Sequence, residues 1–529
     1  MKIYIGVIMS ILCAFGAFAQ KNLGNESQVV IKDFEAKLLE TEKLKTQFSL
    51  PNLDTTVKKQ NYTITPKTLK VDYLPPKLKP IAMRGDDVAK EYNGYVKAGY
   101  GLPKSPYVEA SYVFSDPKQY LIGAQIKHHS AKFSSKPFQQ FASTGGMVNG
   151  SYYVNDALTV NGKVGYNSDK VYYYGCADTT ASEAKVLQRF NLIDLGVGIS
   201  NGKKNGSDLS YHAGLDFYHL ADNFGSNENG TVLSLGGTKW FAEKHPLTLN
   251  IKTDFTTLNK SKLNNVYLQP SFTFHADAFS ILAGANIVSV NDNFTVLPNI
   301  ELNVNVLGNQ LSAFGGWKGD VVKNNMKTLS DYNPFINTAL TLKNTSYQDF
   351  YGGVKGHVST FDYYVQAGYK PTNNLALFTN QSQNCNKFNV VYDTVKITYL
   401  KGTIMAKPVK NVEVSLTAAQ NIYSTKTAEH AWHLPNTELN VSAAYKTMKD
   451  KLKLKGELYF QNGLYYLTEA NLSQRLSSLF DLNVGSEYQF SKNFGAFVQV
   501  NNLLNQKRAR WYTYPTYGLN FLVGATARF

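Results

Sequence analysis

The chain has 529 residues, a net charge of +15, 18% charged residues and a heavy load of tyrosine (35), phenylalanine (30) and glycine (39). After the first nineteen positions no run of eighteen apolar residues occurs, which excludes a transmembrane helix. Three cysteines in this length exclude a disulfide scaffold, and the basic excess reads first as a solvated surface, then as attraction to lipid phosphates or anionic solutes.

Residues 1–19 open on Lys2, run apolar from Ile3 to Phe18 and end in Ala17-Phe18-Ala19. That pattern is a secretory signal peptide with its A-x-A cleavage motif at Ala17 and Ala19. Cys13 is a poor lipidation site, because Ser10 stands where a lipobox wants leucine and the apolar run continues beyond it. Cleavage would leave Cys176 and Cys385, enough for one optional bridge.

Residues 20–91 have a different character. "VVIKDFEAKLLETEKLKTQ" carries a weak helical stripe of Phe34, Leu38 and Leu39, and Pro75, Pro76 and Pro80 then rule out a long helix. The segment is either a short, irregular periplasmic tail or a strap that enters or caps a lumen.

From residue 92 onward one element repeats. "LTVNGKVGY" sets Leu158, Val160, Val164 and Tyr166 opposite Thr159, Asn161 and Lys163; "LTLNIKTDF" sets Leu247, Leu249, Ile251 and Phe255 opposite Thr248, Asn250, Lys252 and Asp254. A period of two is a strand with one apolar face, and charges opposite an aliphatic stripe suit a wet lumen. Short turns, such as Asp116-Pro117-Lys118, Leu307-Gly308-Asn309 and Ser491-Lys492-Asn493, alternate with longer polar and aromatic stretches near 130–143, 176–184, 321–346, 372–386, 424–434, 463–474 and 506–516. Counting between connectors gives about twenty-two strands over residues 92–529, with residues 386–407 as one long strand or two. The predicted fold is all-β, a transmembrane antiparallel up-and-down β-barrel with both termini periplasmic, since single-chain bacterial barrels carry even strand numbers. The chain ends on "GLNFLVGATARF", with Phe521, Val523, Ala525, Ala527 and Phe529 on one face. An apolar edge strand is stable against aggregation only if it is paired, so it is expected to close on "YNGYVKAGYG", residues 92–101.

The run 498–529, with Asn502-Leu503-Leu504-Asn505, the aromatic loop Trp511 to Gly518 and the terminal phenylalanine, resembles the last two strands of TonB-dependent outer-membrane receptors. Residues 92–529 are similar in layout to the receptor-like barrels of Bacteroidota. The resemblance implies a cell outer-membrane location and a C-terminal signal, Phe521 to Phe529, read by the barrel assembly machinery. The chain departs from the family where a plug of well over a hundred residues should precede the barrel: residues 20–91 are too few, which puts TonB-driven uptake in doubt. Val29, Val30 and Ile31 in "SQVVIKDF" faintly resemble a TonB-contact box.

No catalytic, cofactor or metal constellation is expected, and the chain does not read as an enzyme. His430 and His433 in "HAWH" lack a completing carboxylate or thiolate and read as loop polarity; His128-His129 reads the same way at a strand end. In "QKRARWYTY", Lys507, Arg508 and Arg510 with Trp511, Tyr512 and Tyr514 fit lipopolysaccharide phosphates and an aromatic girdle better than nucleic acid. Two function readings follow. The first is a receptor-like channel for an unidentified solute, with residues 20–91 in place of the plug. The second is an assembly subunit using the barrel as a scaffold for a periplasmic or surface lipoprotein.

Overall fold

The computed structural model describes residues 92–133, 136–155, 157–175, 182–201, 208–381 and 387–529. Ala17 and Ala19, the segment 20–91 with Val29, Val30 and Ile31, and Cys176 and Cys385 lie outside them.

Twenty-two strands form one antiparallel sheet in which each strand pairs with its neighbour along the chain and the first, Gly94–Leu102, pairs with the last, Asn520–Arg528. The predicted barrel is closed, and the strand count agrees. Alternation sets the faces: Ile193, Leu195, Val197 and Ile199 all point outward and are exposed, while Asp194 between them turns into the lumen, where it meets Lys163. The same outward stripe holds for Leu247, Leu249, Ile251 and Phe255. An exterior this apolar around a fully hydrogen-bonded wall is what hydrocarbon requires. Among the described residues no helix is long and apolar enough to cross a membrane.

Tight turns such as 117–119, 308–310 and 359–360 mark one end, here the inner one, and the long connections mark the outer end. The alternation of lengths is incomplete. Four outer connections, 103–104, 223–226, 259–260 and 291–292, are as short as the inner turns, so the long loops crowd onto the rest of the rim. Residues 372–386, expected as a loop, are mostly strand. Phe361–Gln381 and Lys387–Ala406 are single strands of 21 and 20 residues. A bilayer span needs only about 9–11 residues, so this hairpin rises well beyond the hydrocarbon.

The seam shows why closure works at this point. Pairing runs from Tyr95 opposite Arg528 to Leu102 opposite Phe521, and Gly94 N donates to Phe529 O at 2.7 Å. Phe521, Val523 and Phe529 face outward, whereas Leu522 and Thr526 are buried inward. Gly99 sits opposite Gly524, and the Phe497 ring lies over both. A Cβ on Gly524 would stand 2.1 Å from Ala98 O and 2.6 Å from Gly99 Cα, so the strands approach only because neither residue has a side chain. The ammonium of Lys97 rests 4.2 Å from the Phe497 ring centre and completes the cover. Replacing Gly524 with Val should block seam pairing and leave an open sheet. On unheated SDS gels the variant is expected to lose the fast-migrating barrel band; a normal band would show that the seam tolerates a side chain.

Candidate functional site

The outer mouth is closed by loops that start far apart on the wall. The connections after the fifth, thirteenth and twenty-first barrel strands leave the ring roughly a third of a turn from one another. Yet Tyr173, Tyr174 and Val186 of the first, Leu329, Phe335 and Ile336 of the second and Trp511 and Tyr514 of the third share one buried cluster. Phe378 and Phe388, from the upper part of the tall hairpin, complete it. Loops spaced in this way can meet only over the middle of the mouth.

The cluster is aromatic and tightly packed. Phe335 stacks on Tyr514 at 3.9 Å between centroids, Tyr174 meets Tyr514 edge-on at 5.0 Å, and Trp511 packs against both Phe378 and Phe388. Such ring pairs add about 0.5–1.5 kcal/mol each beyond the area they bury. Hydrogen bonds stitch the loops at the rim of this core. Tyr173 Oη donates to Ile336 O at 3.1 Å, Tyr174 Oη to Pro515 O at 3.0 Å, and Asn337 N to Phe388 O at 2.7 Å. The Lys387 ammonium sits 3.6 Å from the Phe224 ring centre and 4.7 Å from that of Tyr173.

The second of these loops also dips into the barrel. Helix Met326–Tyr332 is started by a reciprocal cap, with Thr328 N donating to Asn325 Oδ1 and Asn325 N to Thr328 Oγ1, both at 3.1 Å. Its first turn then docks on the wall strands Leu187–Ser200, Leu209–Asp222, Asn227–Phe241 and His245–Leu258, several strands away from where the loop leaves the wall. The fully buried Glu228 carboxylate accepts from Met326 N at 2.6 Å, Lys327 N at 3.2 Å, Asn325 Nδ2 at 2.7 Å and Tyr218 Oη at 2.9 Å. A carboxylate at this point answers both the unpaired amides and the positive end of the helix. Met326 inserts among Phe190, Tyr218, Leu220 and Leu258. Lys327 reaches Asp194 at 3.5 Å, and Lys323, at the end of the wall strand Leu311–Asn324 that leads into the loop, binds Asp254 at 2.5 Å and Thr256 Oγ1 at 2.9 Å, with both charges of the latter pair largely buried. Taking away one partner of a buried pair of this kind costs roughly 3–5 kcal/mol. The loop is therefore a chord pinned across the lumen by charge as well as by packing.

The residues singled out from the sequence fall in unexpected places. Phe521, Val523 and Phe529 lie on the outward face of the last strand. The girdle reading of "QKRARWYTY" does not hold for Trp511 and Tyr514, which are 6% and 2% exposed inside the cap; Tyr512 stacks on Tyr466 at 4.0 Å. Arg510, expected at lipid phosphates, instead donates to His433 O and to Tyr332 Oη, both at 2.9 Å. Lys507 and Arg508 remain exposed. His433 is no polar loop residue. It is fully buried between Phe388 and Trp511, and neither ring nitrogen has a hydrogen-bond partner. His430 stacks on Tyr465 at 3.9 Å, His128 bonds Thr144 at 2.7 Å, and His129 packs edge-on to Tyr107. No cluster of three or more metal-ligating side chains occurs among the described residues. Glu228, Lys323 and Lys327 were missed, although "NNMKTL" carries a recognisable Asn cap.

Burial, and secondarily the Arg510 guanidinium, hold the His433 imidazole down to a pKa of about 3 against an ordinary 6.5. An opened cap binds that proton far more readily than the packed cap does. Packing is therefore complete above pH 6.5 and weakens as pH falls toward 3, by about 1.4 kcal/mol per unit, or about 2 kcal/mol at pH 5. Proteolysis of the outer loops should accelerate over this range. His433→Asn, which tolerates the left-handed backbone there (φ 59°), should flatten the slope whatever its absolute stability; an unchanged slope would assign the pH response elsewhere.

No protein-family model matches the chain, and no curated protein matches it. Among solved structures it is similar to the ferripyoverdine receptor of the outer membrane of Pseudomonas aeruginosa, with a TM-score of 0.62 at 12% identity over 83% of this chain and 72% of that one. It is likewise similar to the FrpB iron transporter from Neisseria meningitidis (TM-score 0.65, 9% identity, 84% and 82% covered) and to the copper transporter OprC (TM-score 0.62, 10% identity, 83% and 81% covered). The class is thus a 22-stranded barrel with the fold of TonB-dependent receptors. At these identities the likeness is one of fold.

Proposed function

We propose that the protein is an outer-membrane transport protein, a receptor-like barrel of the Bacteroidota type in which residues 20–91 stand in place of a full plug, and that its outer loops gate the passage of a solute. The observation that carries this reading is the closure of the outer mouth by loops that could have stayed on the rim. A barrel of twenty-two strands encloses a wide lumen, and natural ones are plugged. A purely structural barrel has no use for a helix pinned across that lumen by Glu228 and Lys327. Passage then requires the aromatic cap to part and the chord to swing or be skirted. The neighbours named as an iron transporter, a copper transporter and a ferripyoverdine receptor support the general role; they do not name this chain's solute. Insertion through the barrel assembly machinery, by way of the Phe521 to Phe529 signal, belongs to the same proposal, as does a lipoprotein partner.

Planar-bilayer recordings test it. The intact protein should be closed or nearly so. Replacing residues 325–342 by a short Gly-Ser linker should raise single-channel conductance several-fold, and removing residues 20–91 should add a further increase. A double deletion that folds, keeps its barrel band and stays electrically silent would overturn the transport reading and favour a scaffold.

A further inference from the structure

Beside the chord lies a hollow whose surface differs from the rest of the lumen. It is an open hollow with a volume of about 310 Å³, lined by the helix Met326–Tyr332, the wall strands Leu311–Asn324, Lys343–Val358, Phe361–Gln381 and Lys387–Ala406, and Leu434 of a neighbouring outer loop. The other inward apolar clusters, such as Tyr267, Val288, Leu297 and Val321, are buried. Here Val322, Leu329, Leu375, Ile397 and Leu434 converge, and Val322 is 48% exposed although it faces inward. Of these only Val322 is exposed, Leu329 being buried in the cap, and an apolar side chain left facing a wet lumen is unfavourable unless something covers it.

Lys370 lies on the lining of the same hollow. Its ammonium sits 4.0 Å from the Tyr347 ring centre, and among the described residues no carboxylate lies within ion-pairing distance of it. Asp349 and Asp320 on the adjoining strands act on Lys370 only at a distance, and their hydrogen bonds go elsewhere: Asp349 accepts from Tyr399 Oη at 2.9 Å and Asp320 from Asn286 Nδ2 at 2.7 Å. Lys323, the other cation on the lining, is taken by Asp254. A cation with no carboxylate in direct contact therefore stands beside an apolar wall, and the Thr328, Thr345 and Thr372 hydroxyls on the lining donate elsewhere but can still accept. This is the usual make-up of a small-ligand pocket, mostly apolar with a few placed polar groups.

We propose that this hollow binds an amphipathic monoanion, with a compact apolar body against Val322, Leu329, Ile397 and Leu434 and a carboxylate on the Lys370 ammonium. The inference deepens the transport reading by naming the class of solute. It also gives the chord a second role, since Leu329 and Thr328 form one wall of the site and would release the ligand as the helix moves.

Three probes with the same body separate the contributions: 4-phenylbutyrate, 4-phenylbutan-1-ol and 4-phenylbutylamine. Each is titrated calorimetrically into the full-length protein in phosphatidylcholine nanodiscs, with empty nanodiscs as the blank. A charge-assisted contact on Lys370 makes the acid bind about tenfold tighter than the alcohol, and tighter still than the amine. Lys370→Gln should lower acid affinity to that of the alcohol and leave the alcohol unchanged, and Lys370→Arg should keep most of the acid's advantage. Equal affinity for acid and alcohol in the unaltered protein would overturn the proposal without recourse to any variant, as would unchanged acid binding in a folded Lys370→Gln protein. The two readings fail separately. Selective acid binding in a barrel that never conducts, even with residues 20–91 and 325–342 removed, would overturn transport; a conducting barrel blind to probe charge would overturn only the monoanion site.

Discussion

Everything in this protein depends on pairing the last strand with the first. Backbone amides and carbonyls facing hydrocarbon have no water to turn to, so a sheet in that setting must satisfy every one of them within itself. The Gly99 and Gly524 pair, covered by Phe497, brings the two edges close enough for the ladder to complete. Once it does, no edge remains, and the twenty-two strands form a continuous wall whose stability does not rest on a packed interior.

That solution creates the next problem. A wall of this circumference surrounds a wide space, and an open outer mouth would leave that space freely exchanging with the medium. The chain answers with its connections. Where two neighbouring strands need only a turn, as at 259–260 and 291–292, they receive only a turn; where the chain spends more residues, it sends them inward and over the top. Inside, charge does much of the holding. Glu228 and Asp194 on the wall meet the amides and Lys327 of the loop, and Asp254 holds Lys323 at the end of the strand that leads into it; Glu228 and the Asp254–Lys323 pair are largely shielded from bulk water, where such contacts are worth more than on a surface.

The aromatic residues show how one residue type serves two environments. Outward, Phe and Tyr side chains meet lipid. Over the mouth, Tyr174, Phe335, Trp511 and Tyr514 form a small core of their own. A cap made mainly of loops can open without disturbing the wall, which is what a closure that must part requires. Burying His433 unpaired in it makes that closure sensitive to acid.

Strand, face and closure were legible in the sequence because they are local or nearly so. A period of two reports which side of a strand is apolar, short turns report which strands are neighbours, and an apolar final strand reports that it needs a partner. The terminal face of Phe521, Val523 and Phe529 followed directly from that pattern. The site was barely legible. Trp511, Tyr514 and Arg510 had the composition of a membrane girdle, and nothing in "QKRARWYTY" tells whether its rings will meet lipid or one another. Which loops come together is decided by where their strands stand around the ring, and Tyr173, Ile336 and Trp511 are neighbours only because closure places their strands a third of a turn apart. The local pattern therefore determined a barrel and its lipid face; the mouth, the chord and the hollow beside Lys370 were decided by tertiary structure, because they are made of contacts across a lumen that exists only once the sheet has closed.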